Sequence, residues 1–396
     1  MENFDFHIPT RLVFGKDTQH RVGQMLQDYG YTKVLLHYGG GSIKKSGLYA
    51  QITASLDAAG VAYAELGGVM PNPRLTLARE GVELCRREGV ELVLAVGGGS
   101  VIDSAKAIAM DVYYSGDVWE IYDGFLGIEK ALPVATVLTI PAAGSESSEG
   151  TVLSNEDTQR KYGYGNQLLR PLFSIVNPEL FFTLPKEQLA YGVSDMMSHI
   201  FERYFTNTTD TDLSDSLCEA TLRTIIKNAP AVCADMSDYR AWGEIGFAGT
   251  VAHNGLLGLG REEDWACHDM EHELSAHYDV AHGAGLAVLT PAWMLYVCKD
   301  NMPMFVQFSV NVMGVNASFR DPDAIVREGI ARLRAFYKSI GLPSTLQDLG
   351  IGGDKLELMA KQSTLTRVPQ GQTENPLGGL KELRWQDVLA IYNLAK

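Results

Sequence analysis

Several features that define common protein classes are missing from this chain of 396 residues. No stretch approaches the roughly eighteen consecutive apolar residues of a membrane-spanning helix. The opening MENFDFHIPT lacks the basic-then-apolar pattern of a secretory signal. The five cysteines are dispersed and form no CxxC pair, which argues against a disulfide framework and favours free thiols in a reducing compartment. We therefore expect a cytoplasmic protein.

Positive charge is also in short supply. Lysine and arginine total 33 against 48 acidic residues, a formal net charge of −15. Such a balance argues against binding to nucleic acid and to anionic membranes. The hydrophobic fraction of 46% and the charged fraction of 20% are typical of an ordinary globular protein, and the length predicts two domains. The expected partner is a small molecule.

The pattern of apolar residues along the sequence changes near residue 185. Before it, short apolar runs at 33–38, 91–96, 134–139 and 172–176 alternate with amphipathic stretches, which predicts a mostly parallel sheet covered by helices on both faces. After Pro185, long amphipathic segments predominate and strand-like runs nearly vanish. We predict an α/β domain over residues 1–185 and an all-helical domain over residues 186–396.

Acid and histidine residues cluster in the second half. Asp195 and His199 are four residues apart, so on a helix they share one face, and His268 and His272 repeat the spacing. His277 and His282 follow closely. Helices present ligands to a divalent metal in this way, and the pattern alone leaves hydrolase, lyase and oxidoreductase open. The metalloprotease motif H-E-x-x-H fails, because residue 276 is alanine.

Glycine loops follow the predicted strands of the first half. The sequence Gly97-Gly98-Gly99-Ser100 comes directly after a strand and opens a helix, where backbone N–H groups and the helix dipole favour a phosphate. Similar loops end other strands, at residues 39–42, 71–73 and 139–146. In open α/β sheets such loops converge on one crevice, which predicts a dinucleotide site. The G-x-G-x-x-G spacing of the ordinary dinucleotide fingerprint is absent.

Four segments together resemble the iron-containing (group III) alcohol dehydrogenase family. They are GGGSVIDSAKAIA, TIPAAGSESS, NPELFFTLPKEQLAYGVSDMMSHIFERYF and HDMEHELSAHYDVAHGAGLAVLTP, in the family's order and spacing. The segment HYGGGSIKKSG is similar to the corresponding segment of the butanol dehydrogenase-like, NADPH-dependent aldehyde reductase branch of the family. The resemblance covers nearly the whole chain. It implies a dehydroquinate synthase-like dinucleotide-binding domain followed by an all-α metal-binding domain.

The resemblance also assigns residues to roles. It implies one divalent metal, Fe(II) or Zn(II), bound by Asp195, His199, His268 and His282. It places His272 beside the substrate, where we expect a proton-relay role, whereas His277 is interpreted as structural. The cofactor-binding residues that it implies are Gly39, Gly40, Ser42, Asn72, Gly98, Gly99, Ser100, Asp103, Thr139, Ser145, Lys161 and Leu180.

The loop after the first predicted strand bears on which nicotinamide is used. No acid stands there to repel a 2′-phosphate, and Ser42, Lys44 and Lys45 offer donors and positive charge. We therefore expect NADP(H) to be preferred over NAD(H). The expected reaction is reversible hydride transfer between NAD(P)H and a small aldehyde/alcohol pair, in a homo-oligomer, a dimer. The alternative is a dehydroquinate synthase-like or glycerol dehydrogenase-like enzyme of the same fold.

Overall fold

The computed structural model describes residues 1–318 and 320–396, and these form two compact units. One unit, which we call the sheet unit, comprises His7–Leu184 and Met236–Gly246. The other, the helical unit, comprises Met1–Phe6, Pro185–Asp235 and the described part of Phe247–Lys396. Two short segments thus belong to the unit that their position in the chain would not suggest. The boundary near residue 185 stays a prediction about separate domains.

Parallel strands build the core of the sheet unit. The strands are β1 (Arg11–Phe14), β2 (Lys33–Gly39), β3 (Ala62–Val69), β4 (Leu92–Gly97), β5 (Val134–Leu138), β6 (Gly150–Asn155), β7 (Arg160–Gly165) and β8 (Phe173–Val176). In the described part of the chain the main sheet has the order β1-β8-β5-β4-β2-β3 with every pairing parallel, and β6 and β7 form an antiparallel hairpin. The predicted α/β fold with a parallel sheet is confirmed.

The strand order reverses direction between β2 and β4. The chain goes from β2 outward to β3, then returns to place β4 on the other side of β2 and β5 beyond it. Crossovers leave a crevice at the carboxyl ends of the strands where the direction of winding changes, and ligands bind there in open α/β sheets. Both glycine loops, at residues 39–42 and 97–100, lie at this point. The topology of the sheet unit therefore brings them together.

Helices of the sheet unit cover both faces of the sheet, and apolar side chains on β2, β4, β5 and β8 are buried. These helices are α1 (Val22–Asp28), α2 (Ser42–Lys45), α3 (Leu48–Ala58), α4 (Leu75–Glu88), α5 (Gly99–Asp111) and α6 (Val118–Gly124). Strands β1 and β3 were not predicted from the sequence. Both are sheet edges, and β3 alternates exposed and half-buried positions without a continuous apolar run.

A buried histidine on β2 makes the stability of the sheet unit depend on pH. The ring of His37 is fully buried, with Nδ1 donating to the Leu66 carbonyl at 2.8 Å and Nε2 accepting from the Ser104 hydroxyl at 2.9 Å. Burial lowers the pKa of His37 from 6.5 to about 4. The neutral ring is therefore favoured in the folded state, so the stabilisation is complete above pH 6.5 and is lost as the pH falls towards 4.

We expect this group to remove about 3 kcal/mol from the free energy of unfolding as the pH falls from 6.5 to 4. Urea denaturation across this range, compared with a His37→Gln variant, isolates the histidine from the carboxylates that titrate nearby. The wild type should lose stability more steeply than the variant. Parallel slopes would contradict the prediction.

The helical unit contains the remaining helices, with α9 divided between the two units at Gly246. Their bounds are α7 (Lys186–Tyr204), α8 (Asp212–Ala234), α9 (Tyr239–His253), α10 (Ala266–Tyr278), α11 (His282–Val297), α12 (Met302–Asn311), α13 (Pro322–Ser339), α14 (Leu356–Ser363) and α15 (Trp385–Leu394). The predicted helical second half is confirmed. Among the described residues, no helix is both long and apolar enough to cross a membrane.

A glycine lets the start of α11 approach α7. A Cβ at Gly283 would lie 2.0 Å from the Tyr191 carbonyl oxygen, which is far inside van der Waals contact. Any larger residue would push the two helices apart. The adjacent residue, His282, is thereby held against the turn of α7 that carries Asp195.

Candidate active site

Three helices of the helical unit bring one carboxylate and three imidazoles together. Asp195 and His199 lie one turn apart on α7, His268 lies in the first turn of α10, and His282 begins α11. Three ring nitrogens surround the Asp195 Oδ1 atom: His199 Nδ1 at 3.5 Å, His268 Nε2 at 3.7 Å and His282 Nε2 at 3.9 Å. The structure thus brings together all four residues that the sequence proposed as metal ligands.

One donor atom each from Asp195, His268 and His282 lies within 4.8 Å of the other two, and His199 adjoins them through Asp195; these separations fit ligands of a shared cation. They are too long for good hydrogen bonds, whereas ligands about 2.1 Å from one tetrahedral ion lie roughly 3.4 Å apart. The buried atoms Asp195 Oδ1, His199 Nδ1 and His268 Nε2 have no hydrogen-bond partner among the residues that the structure describes. Unsatisfied buried polar atoms that face one another are costly unless something binds them. The donor set, three nitrogens and one oxygen, suits Fe(II) or Zn(II).

The electrostatic environment of the cluster differs from one ring to the next. Burial lowers the pKa of His268, but the negative charges of Glu202 and Asp195 outweigh it and raise this pKa to about 10. Burial, together with the neighbouring His253 and His268, holds the pKa of His199 well below its usual value. The His268 side of the cluster therefore lies in a negative field that favours a cation.

Two buried glutamates that were not predicted from the sequence contact rings of the candidate ligands. Glu202 on α7 accepts from His268 Nδ1, and Glu271 on α10 accepts from His282 Nδ1. Both stand three residues beyond a candidate ligand, His199 and His268 respectively. That spacing was the available signal, but glutamates are common on helices.

His253 and Arg203 also adjoin the cluster. The ring centroid of His253 lies 4.1 Å from that of His199, and Arg203 donates to the His199 carbonyl at 2.8 Å. Neither residue was predicted from the sequence. Arg203 also forms an ion pair with Glu263 at 3.1 Å, so its guanidinium group is held by both Glu263 and the His199 carbonyl.

His272 and His277 differ in their surroundings. His272, one turn beyond His268 on α10, packs its ring against His282 with centroids 5.7 Å apart. One donor atom each from Glu271, His272 and His282 lies within 4.8 Å of the others, so His272 adjoins the cluster. His277 contacts the side chains of Gln362 and Glu273, and its structural role stays a prediction.

The proposed cofactor residues of the sheet unit follow the carboxyl ends of its strands. Gly98, Gly99 and Ser100 come after β4, and Thr139 comes after β5. Gly39 is the last residue of β2, and Gly40 and Ser42 follow it. A Cβ at Gly98 would lie 2.8 Å from Ile140, and one at Gly99 would lie 2.9 Å from Ala143. Glycine is therefore required where the two central loops touch.

A buried network fixes the loop that carries Ser145. Asp103 on α5 accepts from the Ser145 hydroxyl at 2.6 Å and from the Val152 N–H at 3.2 Å. Lys106, one turn further, is fully buried and donates to the carbonyls of Ser145, Ser148 and Gly150 at 2.7–2.9 Å. Burial lowers the pKa of Lys106 to about 8, against the raising effect of Asp103. The segment GGGSVIDSAKAIA thus includes a lysine with a structural role.

The weaker cofactor assignments lie at more varied places. Asn72 is buried in a left-handed conformation (φ 54°) between β3 and α4, and Lys161 is buried on β7. Leu180 lies in the turn after β8 and packs against the apolar core of the sheet. Their roles in binding stay predictions.

A carboxylate lies closer to the loop after β2 than the sequence indicated. Glu65 on β3 accepts from the hydroxyl of Tyr38 at 2.9 Å, and its carboxylate lies 3.8 Å from Lys44 Nζ. Glu65 lies on β3, the neighbour of β2, and not at the end of β2, where an acid was looked for in the sequence. The negative charge of Glu65 therefore partly offsets the positive charge of Lys44.

Comparison with known proteins identifies two matching family models. Residues 9–178 match the model described as iron-containing alcohol dehydrogenase, and residues 189–395 match the C-terminal model of the Fe-containing alcohol dehydrogenase family. Together they span nearly the whole of the chain.

Individual relatives agree with the family models. The chain is 45% identical over 393 residues to NADH-dependent butanol dehydrogenase A of Clostridium acetobutylicum, with 99% of each chain covered. It is 34% identical to the NADPH-dependent aldehyde reductase YqhD of Escherichia coli, covering 91% of this chain and 93% of the relative. The crystal structure of NADH-dependent butanol dehydrogenase A from Thermotoga maritima is 42% identical, with a TM-score of 0.96 over 100% of this chain and 99% of that one.

Proposed function

Because this chain belongs to the iron-containing alcohol dehydrogenase family, we propose that it transfers a hydride between NAD(P)H and a small aldehyde/alcohol pair at one divalent metal ion. It is an oxidoreductase of the alcohol dehydrogenase and aldehyde reductase type. The alternative, a dehydroquinate synthase-like or glycerol dehydrogenase-like enzyme, finds no support among the relatives described above. The observation that carries the proposal is the set of three ring nitrogens 3.5–3.9 Å from Asp195 Oδ1.

The metal would be held by Asp195, His199, His268 and His282, and would be Fe(II) or Zn(II). When bound, such an ion supplies Lewis-acid polarisation of the substrate oxygen. The three helices hold the ligand side chains in place before substrate arrives, which lowers the cost of orienting it. Reduction of the aldehyde consumes the hydride of NAD(P)H and one proton from solvent, and yields the alcohol.

We propose that His272 passes that proton. Its ring lies against that of His282, so it adjoins the ligand set without belonging to it. Imidazole is the side chain whose ordinary pKa lies nearest to neutral pH, which suits proton transfer in either direction.

The glycine loops of the sheet unit would bind the dinucleotide. Gly98, Gly99 and Ser100 open α5, whose free N–H groups suit the pyrophosphate, and Thr139 and Ser145 follow on the adjacent strand end. Asn72, Asp103, Lys161 and Leu180 complete the proposed set. Asp103 would act by fixing Ser145, to which it is hydrogen-bonded.

We propose that NADP(H) is preferred over NAD(H). Gly39, Gly40 and Ser42 leave an open turn after β2, and Ser42 and Lys45 are exposed there with no acid on the loop itself. The relatives differ in the nicotinamide that their names state: butanol dehydrogenase A is NADH-dependent and the aldehyde reductase is NADPH-dependent. Glu65 works against the preference by engaging Lys44.

The test compares the two nicotinamides in the reduction of graded aldehydes, followed by nicotinamide absorbance. The wild type should give the higher kcat/KM with NADPH. Ser42→Asp should lower kcat/KM for NADPH at least about tenfold, because a carboxylate repels the 2′-phosphate, and should affect NADH less. Ser46→Asp adds the same charge at the exposed end of α2 and is the control. A wild-type preference for NADH, or equal losses with both nicotinamides, would contradict the proposal.

The compartment and assembly are proposals too. All five cysteines lie in the described part of the chain and each is a free thiol, which supports a reducing environment such as the cytoplasm. The homodimer expected from the sequence is tested by the mass in solution from light scattering.

A further inference from the structure

Two glutamates outside the ligand set are buried beside it. Glu202 and Glu271 are 1% and 0% exposed, in a chain whose other acidic residues mostly face solvent. A carboxylate is rarely buried without a partner whose interaction offsets the free energy lost with its hydration. Each of these two has as partner the Nδ1 atom of one proposed ligand ring.

We propose that Glu202 and Glu271 are positioning residues that fix the tautomer and orientation of His268 and His282 for metal binding. The proposal rests on the metal site proposed above. A carboxylate can only accept a hydrogen bond, so each Nδ1 carries the proton and each Nε2 presents its lone pair towards Asp195. Outer carboxylates of this kind hold ligand histidines in place and increase their basicity.

Glu202 holds His268 through both of its oxygens. Oε2 accepts from the ring Nδ1, and Oε1 accepts from the backbone N–H of the same residue at 3.0 Å. The ring and its backbone are thereby fixed to α7. A glutamine has a single oxygen and an NH₂ group, so it can satisfy one of these donors and opposes the other.

Glu271 is itself held in place. Its Oε2 accepts from His282 Nδ1, and its other oxygen accepts from the Ser275 hydroxyl one turn along α10. A Cβ at Gly285 would lie 2.7 Å from the Cγ of Glu271, so glycine at this position leaves the room that the glutamate fills. Glu271, Ser275 and Gly285 thus together fix the orientation of the His282 ring.

An ordinary buried ion pair predicts a different geometry. In such a pair both ring nitrogens of His268 would be hydrogen-bonded to carboxylates, yet Nε2 lies 3.7 Å from Asp195 Oδ1 and both atoms lack a partner among the described residues. The Nδ1 side is closed by Glu202, while the Nε2 side is spaced for a cation. The arrangement therefore serves metal binding rather than charge pairing alone.

The experiment measures metal affinity directly. Metal-stripped wild type, Glu202→Gln and Glu271→Gln are titrated with Zn(II) against a chromophoric chelator, and with Co(II) while its visible absorption is recorded. Each variant should bind Zn(II) about 10- to 100-fold more weakly and change the Co(II) band. Glu219→Gln is the matched control, since Glu219 is a buried carboxylate of α8 that accepts from Tyr204, Gln307 and Asn311 and contacts no ligand.

The metal titrations distinguish a failure of the proposed metal site from a failure of the role proposed for Glu202 and Glu271. A wild type that binds no metal would refute the site. A wild type that binds one ion while both glutamine variants match its affinity and Co(II) spectrum, or while Glu219→Gln loses as much affinity, would overturn the inference alone. Where a glutamine variant does not fold, Ser275→Ala replaces it, because it frees Glu271 with little change in volume and should still weaken Zn(II) binding several-fold.

Discussion

Replacement of His268 by alanine should remove the bound metal and lower the rate of aldehyde reduction by roughly a thousandfold or more. The ring lies between Glu202 and Asp195, so its loss removes one ligand and leaves the Glu202 carboxylate buried without its main partner. Elemental analysis of the purified variant and steady-state kinetics check the two halves of this expectation. A thousandfold corresponds to about 4 kcal/mol of transition-state stabilisation.

His277→Ala provides the control for this change. His277 lies on the same helix but contacts Gln362 and Glu273 instead of the ligand cluster. It should keep its metal and most of its turnover. Full activity in His268→Ala, or equal losses in the two variants, would show that the cluster does not act as a metal site.

Lys106→Met should destabilise the sheet unit by about 3 kcal/mol and weaken nicotinamide binding. The ammonium group donates to three carbonyls and lies close to Asp103, and methionine fills the same space without a donor. Buried carbonyls that lose their partner cost free energy, and the loop carrying Ser145 loses its anchor. Urea denaturation measures the first effect, and the KM for NADPH should rise about tenfold.

The exposed Lys130 supplies the comparison. Its ammonium group lies over the Tyr113 ring, 3.9 Å from the centroid, at the exposed surface rather than among buried carbonyls. Lys130→Met should change stability by no more than about 0.5 kcal/mol. If Lys106→Met behaved like Lys130→Met in both measurements, the network around Asp103 would not be holding the loop.

Local spacing predicted the cluster of acid and histidine side chains. Pairs four residues apart put Asp195 with His199 and His268 with His272 on common helix faces, and the family resemblance chose among the histidines. Spacing could not show that α11 approaches α7 closely enough for His282 to join, because that depends on Gly283 and a long-range contact. Glu202 and Glu271 escaped notice for the same reason.

The fold was predictable where burial was complete. Strands β2, β4, β5 and β8 are buried on both faces, so each appears in the sequence as a continuous apolar run. The edge strand β3 and the hairpin of β6 and β7 carry mixed side chains that a single sequence does not distinguish from loops. The pairing of Glu65 with Lys44 depends on the register of β3 against β2, which no local pattern encodes.

Metal reconstitution tests the proposed function most directly. The protein is stripped with a chelator, and Zn(II) or Fe(II) is returned in steps under anaerobic conditions while NADPH oxidation with a short-chain aldehyde is followed. The rate should be negligible without metal, rise in proportion to the metal added, and stop rising at one ion per chain. A rate that is unchanged by stripping, or that does not respond to returned metal, would contradict a catalytic metal site at Asp195, His199, His268 and His282.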